Sequence, residues 1–343
     1  MKSNGLTIKL SLIFILGTLI VGCHSKQKKQ ADKPLFRDPV YDGATDPTVI
    51  YNKAEKKWFM FYTSRRANAN ILGGTEWVHG TRIGIAESND GGASWSYRDT
   101  CNIQYHMDKY YTYWAPEVIE YEDIYHMYLT YVPGIFSDWD HERYIVHLTS
   151  KNLLDWKFES KLDLSSDRCI DACVFRLPDG NWRLFYNNEK DKKSIYYADS
   201  PDLYRWTDSG KKVIGDEKGE GPKVFYWKDK YWMVVDNWHG LGVYSSDDME
   251  YWIRQSENIL EVPGKGKDDQ DMGRHCDVVV SNGRAFIFYF THPGMAQSNL
   301  TKSLYEKRRS SIQVAELEYL NGEIIGNRDK PVYINLSLVE VKK

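Results

Sequence analysis

Five stretches of this chain repeat one alternation of polar and apolar positions. Each opens on a polar or small residue, passes a valine and continues as an apolar β run. It then turns through polar residues and returns as an aromatic-rich β run. The stretches read "DPTVIYNKAEKKWFMFYTS", "APEVIEYEDIYHMYLTYV", "DACVFRLPDGNWRLFYNN", "GPKVFYWKDKYWMVVDN" and "HCDVVVSNGRAFIFYFTH". Their valines are Val49, Val118, Val174, Val224 and Val278, at spacings of 69, 56, 50 and 54 residues. A second pattern follows four of them: a strand, a Ser-centred acidic turn and a closing Trp, as in "IGIAESNDGGASW" and "IYYADSPDLYRW". The last unit ends instead in "SIQVAELEYLNGEII". Each unit therefore holds about four strands in a repeat of blade length. The pattern predicts an all-β fold, a five-bladed β-propeller over residues 36–343, with one short helix near residues 302–309. Trp95, Trp156, Trp206 and Trp252 close the outer hairpins and are assigned to structure.

The N-terminus breaks the pattern. Lys2 and Lys9 precede the apolar run "LSLIFILGTLIVG", which ends at Cys23. A charged start and a core too short to span a bilayer read as a signal peptide over residues 1–22. "IVGC" resembles a bacterial lipobox, making Cys23 the lipidation site. Residues 23–35, "CHSKQKKQADKPL", read as a flexible tether whose basic charge suits an anionic membrane surface. The expected location is exported and membrane-anchored, on the periplasmic or cell-surface side. Cys101, Cys169, Cys173 and Cys276 remain, with no zinc-site spacing, and are expected as buried free thiols.

Composition adds two limits. A net charge of -3 argues against nucleic acid as a partner. The 12 Trp and 25 Tyr suit both β-structure and the apolar faces of sugars. In a propeller the first strand of each blade lines the central channel, so all five first strands begin at one mouth. The residues three before the valines are Asp46, Ala115, Asp171, Gly221 and His275, and Glu220 stands one further back. Three carboxyl groups and a histidine thus converge. Clustered carboxyls push their pKa values apart, which glycoside hydrolysis requires: one stays protonated, another ionised.

In this order, "TDPTVIY", "WAPEV", "CIDACVF", "EGPKVFY" and "RHCDVVV" resemble glycoside hydrolase family 43 and the propeller families grouped with it, 32, 62, 68 and 117. The resemblance runs from about residue 38 to 329. It implies Asp46 as general base, Asp171 as modulator of the acid's pKa and Glu220 as general acid. It places His275 on the axis, where it helps hold a cation or water. It also implies inversion, with acid and base roughly 6.5–9.5 Å apart. No cofactor is required, and a structural Ca2+ is allowed although no ligand cluster for it is visible. The expected substrate is an oligo- or polysaccharide, arabinofuranoside or xyloside by default, cut from the end by a monomeric enzyme.

The chain departs from the family pattern at "IDACVF", at "RHCD" and at Glu117, where Asp is commoner. Two alternatives therefore stand: a family 117-like enzyme on another sugar with His275 as acid, or a sugar-binding lipoprotein without turnover. The complete Asp46, Asp171 and Glu220 set favours an enzyme. Further substrate contacts are expected from Trp114 and Glu117 at the second blade, Trp77 and Arg82 on the first-blade insertion, and Trp238 and His239 after the Glu220 hairpin. Asp38 is a rival base, set second because it lies off the repeat-equivalent position.

Overall fold

The computed structural model describes Met1 and residues 29–70, 74–106, 109–296 and 303–337. The expected lipidation site, Cys23, and the apolar run before it lie outside the described residues. Five sheets follow one another in the chain, each built from consecutive strands and antiparallel except where Asn102–Ile103 pairs parallel at the outer edge of the second. The innermost strands are Ala44–Asn52, Thr112–Tyr121, Cys169–Arg176, Glu220–Trp227 and Arg274–Ser281. They touch in a closed cycle, first to second and so on to fifth and back to first. This is the five-bladed β-propeller that the repeat predicts. The short helix is also present, at Leu304–Arg308, capped by Ser303 and Glu306 in a reciprocal capping box.

Between the blades the core divides into five apolar clusters, each shared by two neighbours, and a smaller sixth joins Val78 to Trp114, Ala115 and Val132. Phe59, Phe61 and Ile85 of blade 1 meet Met127, Leu129 and Trp156 of blade 2, and comparable sets join the other pairs. Alternation along the strands explains this, because a blade buries both of its faces against neighbours. The Ser-centred turns repeat in detail. Ser88, Ser150, Ser200 and Ser246 each accept a backbone N–H two to four residues on, and the indoles of Trp95, Trp206 and Trp252 each donate to the carbonyl three residues back.

Residues 29–35 differ from the expectation of a free tether. Lys29–Gln30 pairs with Tyr333–Ile334, Ala31 and Leu35 are buried, and Phe36 bridges to Ile312. The apolar positions in "ADKPLF" find a groove between blades 5 and 1, and their burial outweighs the freedom of a polar linker. The segment staples the first blade to the last. All four described cysteines are buried and free.

Every innermost strand carries a β-bulge at its start. The pairing slips between Thr45 and Thr48, Trp114 and Glu117, Ile170 and Cys173, Glu220 and Lys223, and Arg274 and Cys276. Asp46, Ala115, Asp171 and Gly221 sit in these bulges with φ of 52°, 44°, 58° and 58°. Left-handed backbone in a non-glycine residue costs about 1–2 kcal/mol and is least costly for Asp and Asn. The bulge kinks the strand and re-aims its first side chain. The same local distortion thus turns Asp46 and Asp171 toward the channel mouth.

Candidate active site

The channel mouth opens into a cavity of ≈ 740 Å³. Asp46, Asp171, Glu220, His275, Trp77, Trp114 and Trp238 all line it, so residues up to 229 positions apart meet there. Asp46 is buried. One oxygen accepts from Thr45 Oγ1 at 3.0 Å, and Arg65 Nη2 lies 3.4 Å from both. Asp171 is buried and accepts the Gly221 N–H at 3.0 Å, which ties the third blade to the backbone following Glu220. His275 Nδ1 lies 3.7 Å from Asp46 and 3.9 Å from Asp171. Its backbone N–H donates to Asp236 at 3.0 Å.

Two of the three carboxyls hold their protons tightly. Burial pushes Glu220 up to about 8, and the neighbouring Asp171 adds to the rise. Burial likewise pushes Asp171 up to about 8, with Asp46 and then Glu189 contributing. The two share their titration. The Gly221 N–H favours the ionised form of Asp171, so the shared proton is assigned to Glu220. Lys193 Nζ stands 3.6 Å from Glu220 and 2.8 Å from Glu189. Burial opposes its charge, but these two carboxyls outweigh burial and hold it protonated. Lys193 has φ of 59° and lies 4.9 Å over the Trp238 ring, so it joins the carboxyl pair to an aromatic wall.

Gly221 explains the "EGP" sequence. Its φ is positive, and a Cβ there would lie 2.5 Å from the His275 ring. Only glycine lets the backbone after Glu220 approach His275 this closely.

Other expected contacts fall elsewhere. Glu117 lies one layer deeper, two residues along its strand from the cavity layer, and is buried with Lys223 and Asp277. Lys223 Nζ is 2.9 Å from Glu117 and 2.8 Å from Asp277. Glu117 accepts the Val174 N–H, Cys173 Sγ the Val224 N–H, and Asp277 the Val49 N–H, so this layer ties the second innermost strand to the third, the third to the fourth and the fifth to the first. Glu117 is therefore a structural residue rather than a substrate contact. Arg82 points away from the cavity, 4.0 Å over Tyr111, and donates to the Thr81 carbonyl. His239 is exposed beyond the lining, although Trp238 beside it lines the cavity. Asp38 is saturated by Tyr62, Ser64 and two backbone N–H groups and is not at the cavity. Among the described residues, no three His, Cys, Asp or Glu side chains are grouped to hold a metal ion, so the cation role suggested for His275 has no donor set there.

Sequence reasoning missed Arg65, Trp139, Arg143, Glu189, Lys193, Asp236, Arg274 and His292, all in the lining. Arg274 and Asp236 adjoin named motifs and were findable. His292 closes the fifth repeat stretch, and the others sit on connections with no repeat register. Trp114 is held by its indole N–H on the Val78 carbonyl at 2.6 Å, with His79 packed against its ring.

The model of glycosyl hydrolases family 43 matches residues 36–275. The chain belongs to this family. It is a glycoside hydrolase by that membership, and its partner is a carbohydrate. No curated protein matches the chain. Among solved structures, it is similar to a thermostable family-43 glycoside hydrolase at 19% identity, covering 88% of this chain and 100% of the other, with TM-score 0.63. A family-43 β-1,3-galactosidase matches at 14% identity, 87% and 98% coverage and TM-score 0.62. An exo-1,5-α-L-arabinanase from a bovine ruminal metagenomic library matches at 14% identity, 84% and 97% coverage and TM-score 0.60. At these identities the likeness concerns the fold.

Proposed function

We propose that this family-43 enzyme cleaves its glycosidic bond by single displacement with inversion. Asp46 takes a proton from water as the water attacks the anomeric carbon. Glu220 gives its proton to the departing oxygen. Asp171 raises the proton affinity of Glu220 and fixes the backbone beside it. The observation that carries this reading is the Asp171–Gly221 hydrogen bond together with the raised proton affinity of Glu220. Among these residues His275 approaches Asp46 and Asp171 within 4 Å, not Glu220, which supports Glu220 rather than His275 as acid. Exo action on a terminal sugar fits a cavity closed below by the Lys223 layer and walled by Trp77, Trp114 and Trp238. The named activities of the neighbours extend from galactosides to arabinan, so pentosides and hexosides form the first panel. NMR of the first-formed product tests the mechanism: inverted anomer supports it, and retained anomer refutes it. We also read Cys23 as a lipid anchor on an exported chain. Cys23→Ala is expected to release the protein from the membrane fraction, and unchanged membrane association would contradict the anchor.

A further inference from the structure

The cavity carries a charge pattern that the three catalytic carboxyls do not explain. Six of its lining residues are Lys or Arg and five are Asp or Glu. The chain as a whole is acidic, at -3, so this excess is local. Burial also keeps Glu220 from ionising at neutral pH. Some of the cations are consumed: Arg143 by Glu189 and the Trp139 carbonyl, Lys193 by Glu189.

Arg65 and Arg274 are only partly paired, and so is Arg168, whose buried Nε also lacks a partner. Arg274 meets Asp271 at 3.3 Å and has the buried Asp236 carboxyl as a charged neighbour, but its buried Nε has no partner. Arg65 meets Asp46 only at 3.4 Å, and its buried Nε is also unpartnered. The two share one wall. After burial itself, they are the groups that most oppose protonation of His292, and Arg65 lies 5.2 Å over Phe290; both rings line the cavity. A buried donor on a charged group left without an acceptor is destabilising. Two guanidinium groups on one wall add repulsion. An anion between them would remove both costs.

We infer that the sugar bound in this cavity carries an anionic group, a carboxylate or a sulfate ester, set against Arg65 and Arg274. The inference rests on the glycosidase reading of the same cavity and deepens it. A guanidinium fork matches either group through paired N–H bonds. His292 stands on the same wall, its Nδ1 3.0 Å from the Arg309 carbonyl and its ring held by a further hydrogen bond to the Arg308 backbone. The Trp77 ring, edge-to-face with His292 at 6.0 Å, supplies apolar surface beside it.

Matched probes test this on the mature full-length chain. Binding of methyl glucuronide, methyl galacturonide and methyl galactoside 6-sulfate is compared by NMR with binding of methyl glucoside, methyl xyloside and methyl galactoside. Turnover of the corresponding 4-nitrophenyl glycosides is measured in parallel. The expected result is at least about tenfold tighter binding of an acidic member than of its neutral partner, weakening as salt rises. Preference for the uronides identifies the carboxylate, and preference for the sulfated sugar the sulfate. Arg274→Met is expected to bring the acidic-to-neutral ratio close to one, with Arg274→Lys between, and circular dichroism melts check that both fold. Neutral members binding as well as acidic ones, or neither class binding, overturns the inference. Hydrolysis of neutral members alone would do so while leaving the glycosidase reading intact. Acidic binding without hydrolysis of any member would sink the hydrolase reading but leave the charge inference standing.

Discussion

Glu220 and Asp171 set the pH behaviour of the molecule. Each is raised by burial first and by a neighbouring carboxylate second. A carboxyl whose folded pKa exceeds its unfolded value binds its proton better in the folded state. Its contribution to stability is full below about 4.5 and is lost as pH rises through about 8. Melting temperature is therefore expected to fall between about pH 5 and about pH 9, and Glu220→Gln to flatten that fall; an unchanged slope would contradict the assignment. Turnover follows the same proton. kcat/KM is expected to decline above about pH 8 as Glu220 ionises. Asp171→Asn removes a charge that raises Glu220 while keeping an acceptor for Gly221, so the alkaline limb of its residual activity shifts to lower pH. Glu220→Gln and Asp46→Asn are each expected to lower kcat by roughly 10²–10⁴-fold with little change in melting temperature at neutral pH.

The bulged strand start is the element that makes the site. The bulge repeats in all five blades and is left-handed in four; Asp, Asn and Gly tolerate that backbone best, and Ala115 accepts the strain at the second blade. Gly221 adds contact with His275, 2.5 Å from where a Cβ would stand. Gly221→Ala is expected to cost about 1–3 kcal/mol and to lower kcat by displacing His275 and the backbone after Glu220. Gly180 is the control: its φ is 91° and nothing lies within 4 Å of a Cβ there. Gly180→Ala carries the backbone strain alone, so urea denaturation giving equal losses for both variants would remove the His275 contact from the account. The connections between strands behave differently. Trp238 has φ of 61°, and its N–H is held by Asp236, which sends its ring into the cavity while His239 next to it stays in solvent. No alternation in "DNWHG" announces which of the two turns inward.

At the scale of the whole molecule, closure of the ring is the problem to be solved. Each blade is made of consecutive strands, so no shared strand joins blade 5 to blade 1. Residues 29–36 and the Asp277 bond to the Val49 N–H do so instead. Beneath the cavity, Lys223 lies between two buried carboxylates contributed by blades 2 and 5. Asp277 and then Glu117 hold its proton far more tightly than usual against the opposing effect of burial. Removing one member of such a group leaves uncompensated buried charge. Lys223→Met is expected to cost about 3–5 kcal/mol in urea denaturation. Lys53→Met, at an exposed pair with Asp123, is expected to cost no more than about 1 kcal/mol. Similar losses in the two would mean the axial charges are not coupled.

The sequence alone determined the five repeats, the all-β class and the positions at which each innermost strand begins. Alternation with a period of two fixes which neighbouring blade each residue faces, and the valine spacing fixes how many blades must close. It also singled out Asp46 and Asp171, with Glu220 one residue before the equivalent position of its blade, because repeat-equivalent positions meet at one mouth whatever the blade details. Only the tertiary structure decided the rest of the lining. Arg65, Arg143, Lys193 and Arg274 reach the cavity from turns and strand ends, where no period constrains direction and a single residue of φ above zero reverses a side chain. It also moved Glu117 from the expected sugar contacts to the axial charge layer, because partnership with Lys223 and Asp277 depends on three blades being brought together. Burial, and the proton affinities that follow from it, exist only once the blades have closed around the axis.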